Sequence, residues 1–274
     1  HNFKVLSLAG AKVVCADSTE YLRSATANNS VLYLDPARRD GVGRKTVAIG
    51  DCTPDVGAIL DALLCASRYV VIKLSPMLDI SAALVVLKCV REIHVVSVKG
   101  ECKELLFVLD RRYEGKPVYY AVNLGLSDQV FTCTHEEKNS ALLRVASEHV
   151  ASASATCIYE PHASILKAGL QDVLCERYAV EKLHPMSNLF VSSSPVQDFP
   201  GRGFEIVASC GFGKKELRAM LAGVTKANIT VRNFPTSVAE LRKKLRLAEG
   251  GDVYLFATTM ADGSHRLIRC IKHG

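Results

Sequence analysis

The sequence predicts a layered α/β domain built on a mostly parallel sheet that ends in an antiparallel hairpin, followed by small α+β modules. Three observations predict it. Short β-rich runs alternate with helix-period runs from Lys12 to about Leu124. The connection from Lys99 to Lys103 is too short for a crossover helix, so the strands beside it must run antiparallel. Beyond a small, polar border, strand and helix signals then recur at short spacing up to Ile271.

In chain order, strands are expected at Lys12 to Ala16, Val31 to Leu34, Tyr69 to Leu74, Ile93 to Val98, Leu105 to Leu109 and Val118 to Asn123, with Asn2-Phe3-Lys4 reading as helix. Thr53-Pro54 reads as an N-cap followed by proline at the first helical position. Val56, Ile59, Leu60, Leu63 and Leu64 then form the face that covers the sheet. The pair at 93–98 and 105–109 is expected at the sheet edge. A linker is expected from Glu136 to Ala155, where Ser-Ala-Ser-Ala occupies 152–155, giving domains at 1–150, 151–200 and 201–274.

In the second domain Tyr159-Glu160-Pro161 leads into one apolar helix through Ile165, Leu166, Leu170, Val173 and Leu174. A loop from Ser192 to Gly203 separates it from the third. That third domain should run strand Phe204 to Ala208, helix Lys215 to Leu221, strand Asn228 to Val231, helix Val238 to Leu247, strand Val253 to Thr258 and a strand near Leu267 to Ile271. Ser237 and Glu240 make a capping box for its second helix.

Composition narrows the function classes. With 274 residues, 49% of them apolar, the chain can bury a sizeable core plus smaller modules. Its apolar runs stay far below the roughly 20 residues of a membrane span. Ten cysteines are scattered with no CxxC or CxxH spacing, which reads as reduced thiols in a cytoplasmic protein. A net charge of +6 is gathered at Arg38-Arg39, Arg111-Arg112, Lys214-Lys215 and Arg242-Lys243-Lys244, and suits a polyanionic partner as well as ordinary solvated faces.

The sharpest signal is Val31-Leu32-Tyr33-Leu34-Asp35-Pro36-Ala37-Arg38-Arg39-Asp40, an apolar strand that ends in an acid, a proline and basic residues. Ligands of open α/β sheets sit beyond the carboxyl ends of the strands, so Asp35 is expected to face a site. Ile72-Lys73-Leu74-Ser75-Pro76-Met77-Leu78-Asp79 repeats the pattern one strand later, and Asp17 follows Val13-Val14-Cys15-Ala16. A strand-end Asp also serves as a helix or turn cap, and Ser75-Pro76 also reads as a plain turn.

These motifs, with Tyr159-Glu160-Pro161 and Arg232-Asn233-Phe234-Pro235, resemble class I S-adenosylmethionine-dependent methyltransferases, and among them bacterial RNA-directed enzymes carrying ferredoxin-like and THUMP-like carboxy-terminal domains. The resemblance spans nearly the whole chain and implies a Rossmann-like sheet, S-adenosylmethionine as donor and RNA as partner. It places Asp17 and Ser18, with Asp35, at the donor, Asp17 accepting from the exocyclic amine of adenine. Asp35, Pro36, Ala37 and Arg38 fall in the catalytic motif that meets the acceptor base. Arg39, Lys73, Ser75, Pro76, Arg202, Lys214, Lys215 and Arg232 are expected to bind the substrate, through phosphate contacts where they are basic.

The chain departs from the family twice. Ala37 and Arg38 stand where amino-directed enzymes carry proline and an aromatic residue, so the acceptor atom is left open. The family's glycine-rich donor loop and ribose-gripping acid are not found in this sequence, which is expected to be its carboxy-terminal part; the sheet edge this exposes favours association of copies, which sedimentation would detect. Gly41-Val42-Gly43, Gly201-Arg202-Gly203 and Gly211-Phe212-Gly213 are lone GxG pairs assigned to turns. His135, His149, His162 and His184 lack metal-ligand spacing, and Phe204, Phe212 and Phe234 are assigned to the core. A non-catalytic module binding RNA or a partner is the alternative. A nicotinamide-dependent oxidoreductase is disfavoured by the hairpin and by Asp-Pro-Ala-Arg.

Overall fold

The computed structural model describes residues 10–24, 29–38, 49–125, 128–146 and 155–272. The expectations for Asn2-Phe3-Lys4, Arg39, Gly41 to Gly43 and His149, and most of the Ser-Ala-Ser-Ala segment, lie outside them. The chain divides into two compact units, 1–92 with 106–115, and 93–105 with 116–274.

In the first unit, residues 11–15 form no strand, contrary to the alternation of Lys12 to Ala16. Among the described residues they find no ladder partner, and Val13 and Val14 stay exposed. Helix α1 (Ser18–Ser24) starts where the Asp17 carboxylate accepts from the N–H of Thr19 at 2.8 Å and of Glu20 at 3.1 Å. Strand β1 (Asn29–Leu34) leads to β2 (Ala37–Arg38), which pairs antiparallel with β3 (Cys52–Thr53). That pairing holds Thr53 in a ladder, so the cap of helix α2 (Val56–Ala66) falls to Asp55 and not to Thr53. The Asp55 carboxylate accepts from Gly57 at 3.0 Å and Ala58 at 3.3 Å. Val56, Leu60, Leu63 and Leu64 are buried on the expected face. Arg111, from one of the basic pairs, donates to the last carbonyls of α2, Leu64 O at 3.3 Å and Cys65 O at 3.5 Å.

Helix α2 is the crossover that lets β1 pair in parallel with β4 (Ser67–Leu74), in a register running from Val31 opposite Tyr69 to Leu34 opposite Ile72. Helix α3 (Ile80–Val86), capped by Asp79, precedes β5 (Val90–Val98) and β6 (Glu101–Asp110). Their turn, Lys99-Gly100, has φ of 50° and 82°, a type I′ hairpin. The hairpin is therefore present, but not at the edge. Asp110 N–H donates to Cys89 O and Arg111 N–H to Arg68 O, so the end of β6 is bonded on both sides.

In the second unit β7 (Val118–Leu124) and β8 (Gln129–Cys133) pair antiparallel and follow β5, giving the sheet order β1-β4-β6-β5-β7-β8. Helix α4 (His135–Ser140), capped by Thr134, occupies the start of the expected linker. Strand β9 (Cys157–Pro161) is followed by two helices where one was expected, α5 (Ala163–Ala168) and α6 (Gln171–Arg177). Gly169 separates them in the left-handed conformation, φ 68°, and its N–H closes α5 onto Ile165 and Leu166 carbonyls.

Strands β10 (Glu181–Lys182), β11 (Phe190–Ser192) and β12 (Gly201–Cys210), helix α7 (Lys214–Met220), β13 (Asn228–Arg232), helix α8 (Val238–Leu245), β14 (Val253–Thr259) and β15 (His265–Lys272) complete the chain. The expected loop shrinks at both ends, since Ser192 closes β11 and Gly201 opens β12. Ser237 and Glu240 form the capping box. The α8 face is buried at Leu241. Seven strands join in one sheet, β10-β11-β9-β12-β15-β14-β13, continuous from Glu181 to the last strand because β9 pairs with β12. One core cluster packs Ile158, Leu189, Phe204, Phe256 and Ile268, and another packs Ile229, Leu241, Leu255 and Leu267. Phe204 is buried as expected, while Phe212 and Phe234 stack on each other, 4.9 Å between centroids, against the second cluster.

Candidate functional site

The parallel register of β1 and β4 puts the ends of the two signature motifs side by side. Asp35 follows the last residue of β1, and Lys73 is the penultimate residue of β4. Their side chains meet, Lys73 Nζ to Asp35 Oδ2, at 2.6 Å, with Asp35 49% and Lys73 27% exposed. Among the described residues Asp35 Oδ1 has no partner. Pro36 leads into β2, where Ala37 pairs with Thr53 and Arg38 with Cys52, so the backbone after Asp35 is fixed by a second, short ladder. Ser75 and Pro76 form a turn: Ser75 Oγ accepts from Met77 N–H at 3.2 Å and Ser75 O from Leu78 N–H at 3.0 Å.

Asp17 lies in the same unit as the cap of α1. Its Oδ1 also accepts from the Thr19 hydroxyl at 2.5 Å, and these bonds, the hydroxyl's first, hold the exposed carboxyl below its ordinary range. Oδ2 has no partner among the described residues. Ser18, Ala16, Leu22, Leu32 and Leu34 line a cavity of about 410 Å³ that reaches Leu63 of α2. Of the expected site residues, the structure thus pairs Asp35 with Lys73 and sets Ser18 on a mostly apolar cavity.

The other basic residues separate into two groups. Lys214 and Lys215 open α7, exposed. Gly211-Phe212-Gly213 is not a plain turn, since it stands between a strand, β12, and a helix, α7. The position that should hold a third glycine is Glu216, and its carboxylate lies over the loop: a Cβ on Gly211 would fall 2.9 Å from Glu216 Oε2. An internal carboxylate thus occupies the place where a phosphate would sit.

Arg202 and Arg232, by contrast, converge. Arg202 is directly opposite Glu160 in the β9–β12 ladder, and Arg232 ends the edge strand β13. The two guanidiniums donate to the two oxygens of Glu160, Arg202 to Oε2 and Arg232 to Oε1. The Glu160 side chain is only 6% exposed, while Arg202 and Arg232 are 51% and 40% exposed. Four strand spacings of about 4.8 Å separate β9 from β13 along the sheet, beyond the reach of one arginine, so the sheet must curl to bring Arg232 back.

Gly201 permits this packing. A Cβ there would lie 2.3 Å from Glu160 O and 2.8 Å from Pro161 Cα, so no other residue fits. Gly201 and Gly203 are thus strand residues, not turn residues, and Gly201 is placed by close approach of backbone. The cavity of about 500 Å³ beside this cluster takes in Lys99, Asn123, Glu160, His162, Arg202 and Arg232. His162 Nε2 bonds Gln129 Oε1 at 2.8 Å; burial and then the charge of Arg202 lower its pKa. Glu160, His162 and Lys99 carried no site assignment in the sequence, because their partners lie tens of residues away.

All ten cysteines are free, Cys52, Cys133, Cys157, Cys175 and Cys270 buried. Among the described residues no group of three or more His, Cys, Asp or Glu side chains is placed to hold a metal ion, and no helix is long and apolar enough to cross a membrane.

Two family models match the second unit. Residues 158–200 match a ferredoxin-like domain and residues 201–272 a THUMP domain-like family. No curated protein matches the chain. The crystal structure of a candidate methyltransferase from Porphyromonas gingivalis W83 superimposes with a TM-score of 0.82 at 36% identity, over 93% of this chain and 63% of that one. The chain therefore spans less than two thirds of the protein it matches. The chain thus carries regions similar to a ferredoxin-like and a THUMP-like domain, within a fold similar to that structure.

Proposed function

We propose that the chain is part of a cytoplasmic S-adenosylmethionine-dependent methyltransferase that acts on RNA, with its acceptor site at Asp35. The observation that carries this reading is the 2.6 Å pair between Lys73 and Asp35 at the carboxyl ends of two parallel strands. It unites the Asp-Pro-Ala-Arg and Lys-x-Ser-Pro motifs where open α/β sheets bind ligands.

The residues present fit the adenosine end of the donor. Asp17 spends one carboxylate oxygen on its helix cap and keeps the other for an exocyclic amine, and Ser18 borders an apolar cavity of suitable kind. When bound, the sulfonium supplies the methyl group and its leaving group. Lys73 orients Asp35 through Oδ2, and Oδ1 is left to accept a proton from the acceptor atom. The Pro36-Ala37-Arg38 backbone, fixed on β3, and the Ser75-Pro76 turn shape the rim that receives the base. Lys214, Lys215, Arg202 and Arg232 supply phosphate contacts, as does Arg39. The structural match to a methyltransferase candidate and the THUMP-like match favour this over a purely structural role.

Calorimetric titration of S-adenosylmethionine into this chain and into a form extended at its amino-terminal end is the first test. The extended form should bind and transfer labelled methyl groups to RNA, and Asp35→Asn should still bind the donor while losing transfer by about a hundredfold or more. Binding by neither form would sink the methyltransferase reading and leave a non-catalytic RNA- or partner-binding module.

A further inference from the structure

The cavity beside Glu160 carries more positive charge than its ion pairs consume. Glu160 supplies one negative charge, Arg202 and Arg232 one positive charge each, and Lys99 lines the same cavity from the tip of the β5–β6 hairpin. Arg202 reaches Glu160 through Nη2; Arg232 uses Nη2 for Glu160 and Nη1 for Val231 O. Among the described residues, Nε and Nη1 of Arg202 and Nε of Arg232 have no acceptor. A guanidinium with part of its planar fork unfilled matches the oxygens of a phosphate.

The geometry is prepared in advance. A shared buried carboxylate holds both guanidiniums, so little side-chain freedom is left to lose on binding. Lys99 sits at φ 50°, a left-handed backbone that residues other than glycine rarely adopt, as the first residue of the type I′ turn. His162, held by Gln129, lines the same cavity. The volume of about 500 Å³ is that of a small-ligand site.

We propose that this cavity is a binding site for a phosphate group, held by the guanidiniums of Arg202 and Arg232 and the ammonium of Lys99. The site rests on its own geometry; only its assignment to an RNA phosphodiester, and not to a free phosphate or mononucleotide, rests on the RNA reading above.

The experiment pairs two probes. Inorganic phosphate is titrated while the arginine Nε–Hε resonances are followed by NMR, with Arg202→Gln giving the assignment. A labelled single-stranded RNA oligonucleotide is titrated by fluorescence anisotropy. Because Arg202→Gln disturbs a buried carboxylate, each variant is first melted, and Lys99→Gly, which suits the turn and leaves Glu160 untouched, serves as the second variant.

Phosphate should shift the Arg202 and Arg232 resonances in the unaltered protein and much less in Lys99→Gly. RNA affinity should fall about tenfold in Arg202→Gln and about threefold in Lys99→Gly. Phosphate shifts without an effect of the variants on RNA affinity support the site and assign it to free phosphate or a mononucleotide. Unshifted resonances, with RNA bound equally by both variants and weakened only by Lys214→Gln/Lys215→Gln, overturn the site while the RNA reading stands. Phosphate shifts in a protein that binds no RNA at all support the site and remove the RNA reading.

Discussion

The two carboxylates at the centre of the two candidate sites are held in opposite ways. Asp35 lies at a strand end, half exposed, against a single lysine. Glu160 lies within a strand, almost fully buried, against two arginines. An exposed pair in high dielectric adds at most about 1 kcal/mol to stability, so Asp35 can change partners when a ligand arrives. A buried carboxylate has no solvent to fall back on, and losing a partner there costs several kcal/mol. The first arrangement suits a group that acts, the second one that positions others.

The largest effect is expected from Gly201→Ala, which drives a Cβ into the backbone of Glu160 and Pro161 and should cost roughly 3 kcal/mol or more in urea unfolding. A loss within about 0.5 kcal/mol would mean that β9 and β12 can move apart freely. Next comes Glu160→Gln, whose amide can accept from one guanidinium while its NH2 faces the other. A cost of about 2 kcal/mol is expected, the exposure of both arginines keeping it below the fully buried case.

A smaller, pH-dependent effect belongs to the first unit. Buried Asp110 accepts from Arg112 N–H at 3.1 Å, which with Arg68 and Arg91 holds its carboxyl below the ordinary 3.8 despite burial. A folded pKa below the unfolded one means stability present above the unfolded value and lost as pH falls toward and through the folded one. Unfolding measured from about pH 5 down to about pH 2 should therefore be less steep in Asp110→Asn. An acid limb identical to that of the parent protein would remove Asp110 as its source. The smallest effect, under about 0.5 kcal/mol, is expected from Asp35→Asn.

What could be read from sequence is what short-range physics decides. The Ser237–Glu240 capping box needs three residues of context, and the strands and helices from Gly201 onward follow from alternation and helical spacing. A hairpin was visible in the short connection from Lys99 to Lys103, but its tighter turn at Lys99-Gly100 and its place in the sheet were not, because which strand lies beside β6 is decided by β4, far away in the chain. Thr53 looked like a cap because it precedes proline; its pairing with Ala37, 16 positions earlier, moved the cap to Asp55. Lys12 to Ala16 had the composition of a strand, yet a strand is a property of two segments. At the sites the same division holds. Asp35 and Lys73 each stood out at a strand end, whereas Glu160 gains its meaning from residues 42 and 72 positions away.

The continuity of the seven-stranded sheet has a consequence for the history and handling of this chain. Two sequence families meet between residues 200 and 201, as if two parts could be inherited or exchanged separately. The ladder from Gly201 to Glu205 against Pro161 to Cys157 crosses that seam. Separating the two parts would bare one adhesive strand edge on each, so neither is an independent unit. Substitutions on β9 should therefore be answered on β12.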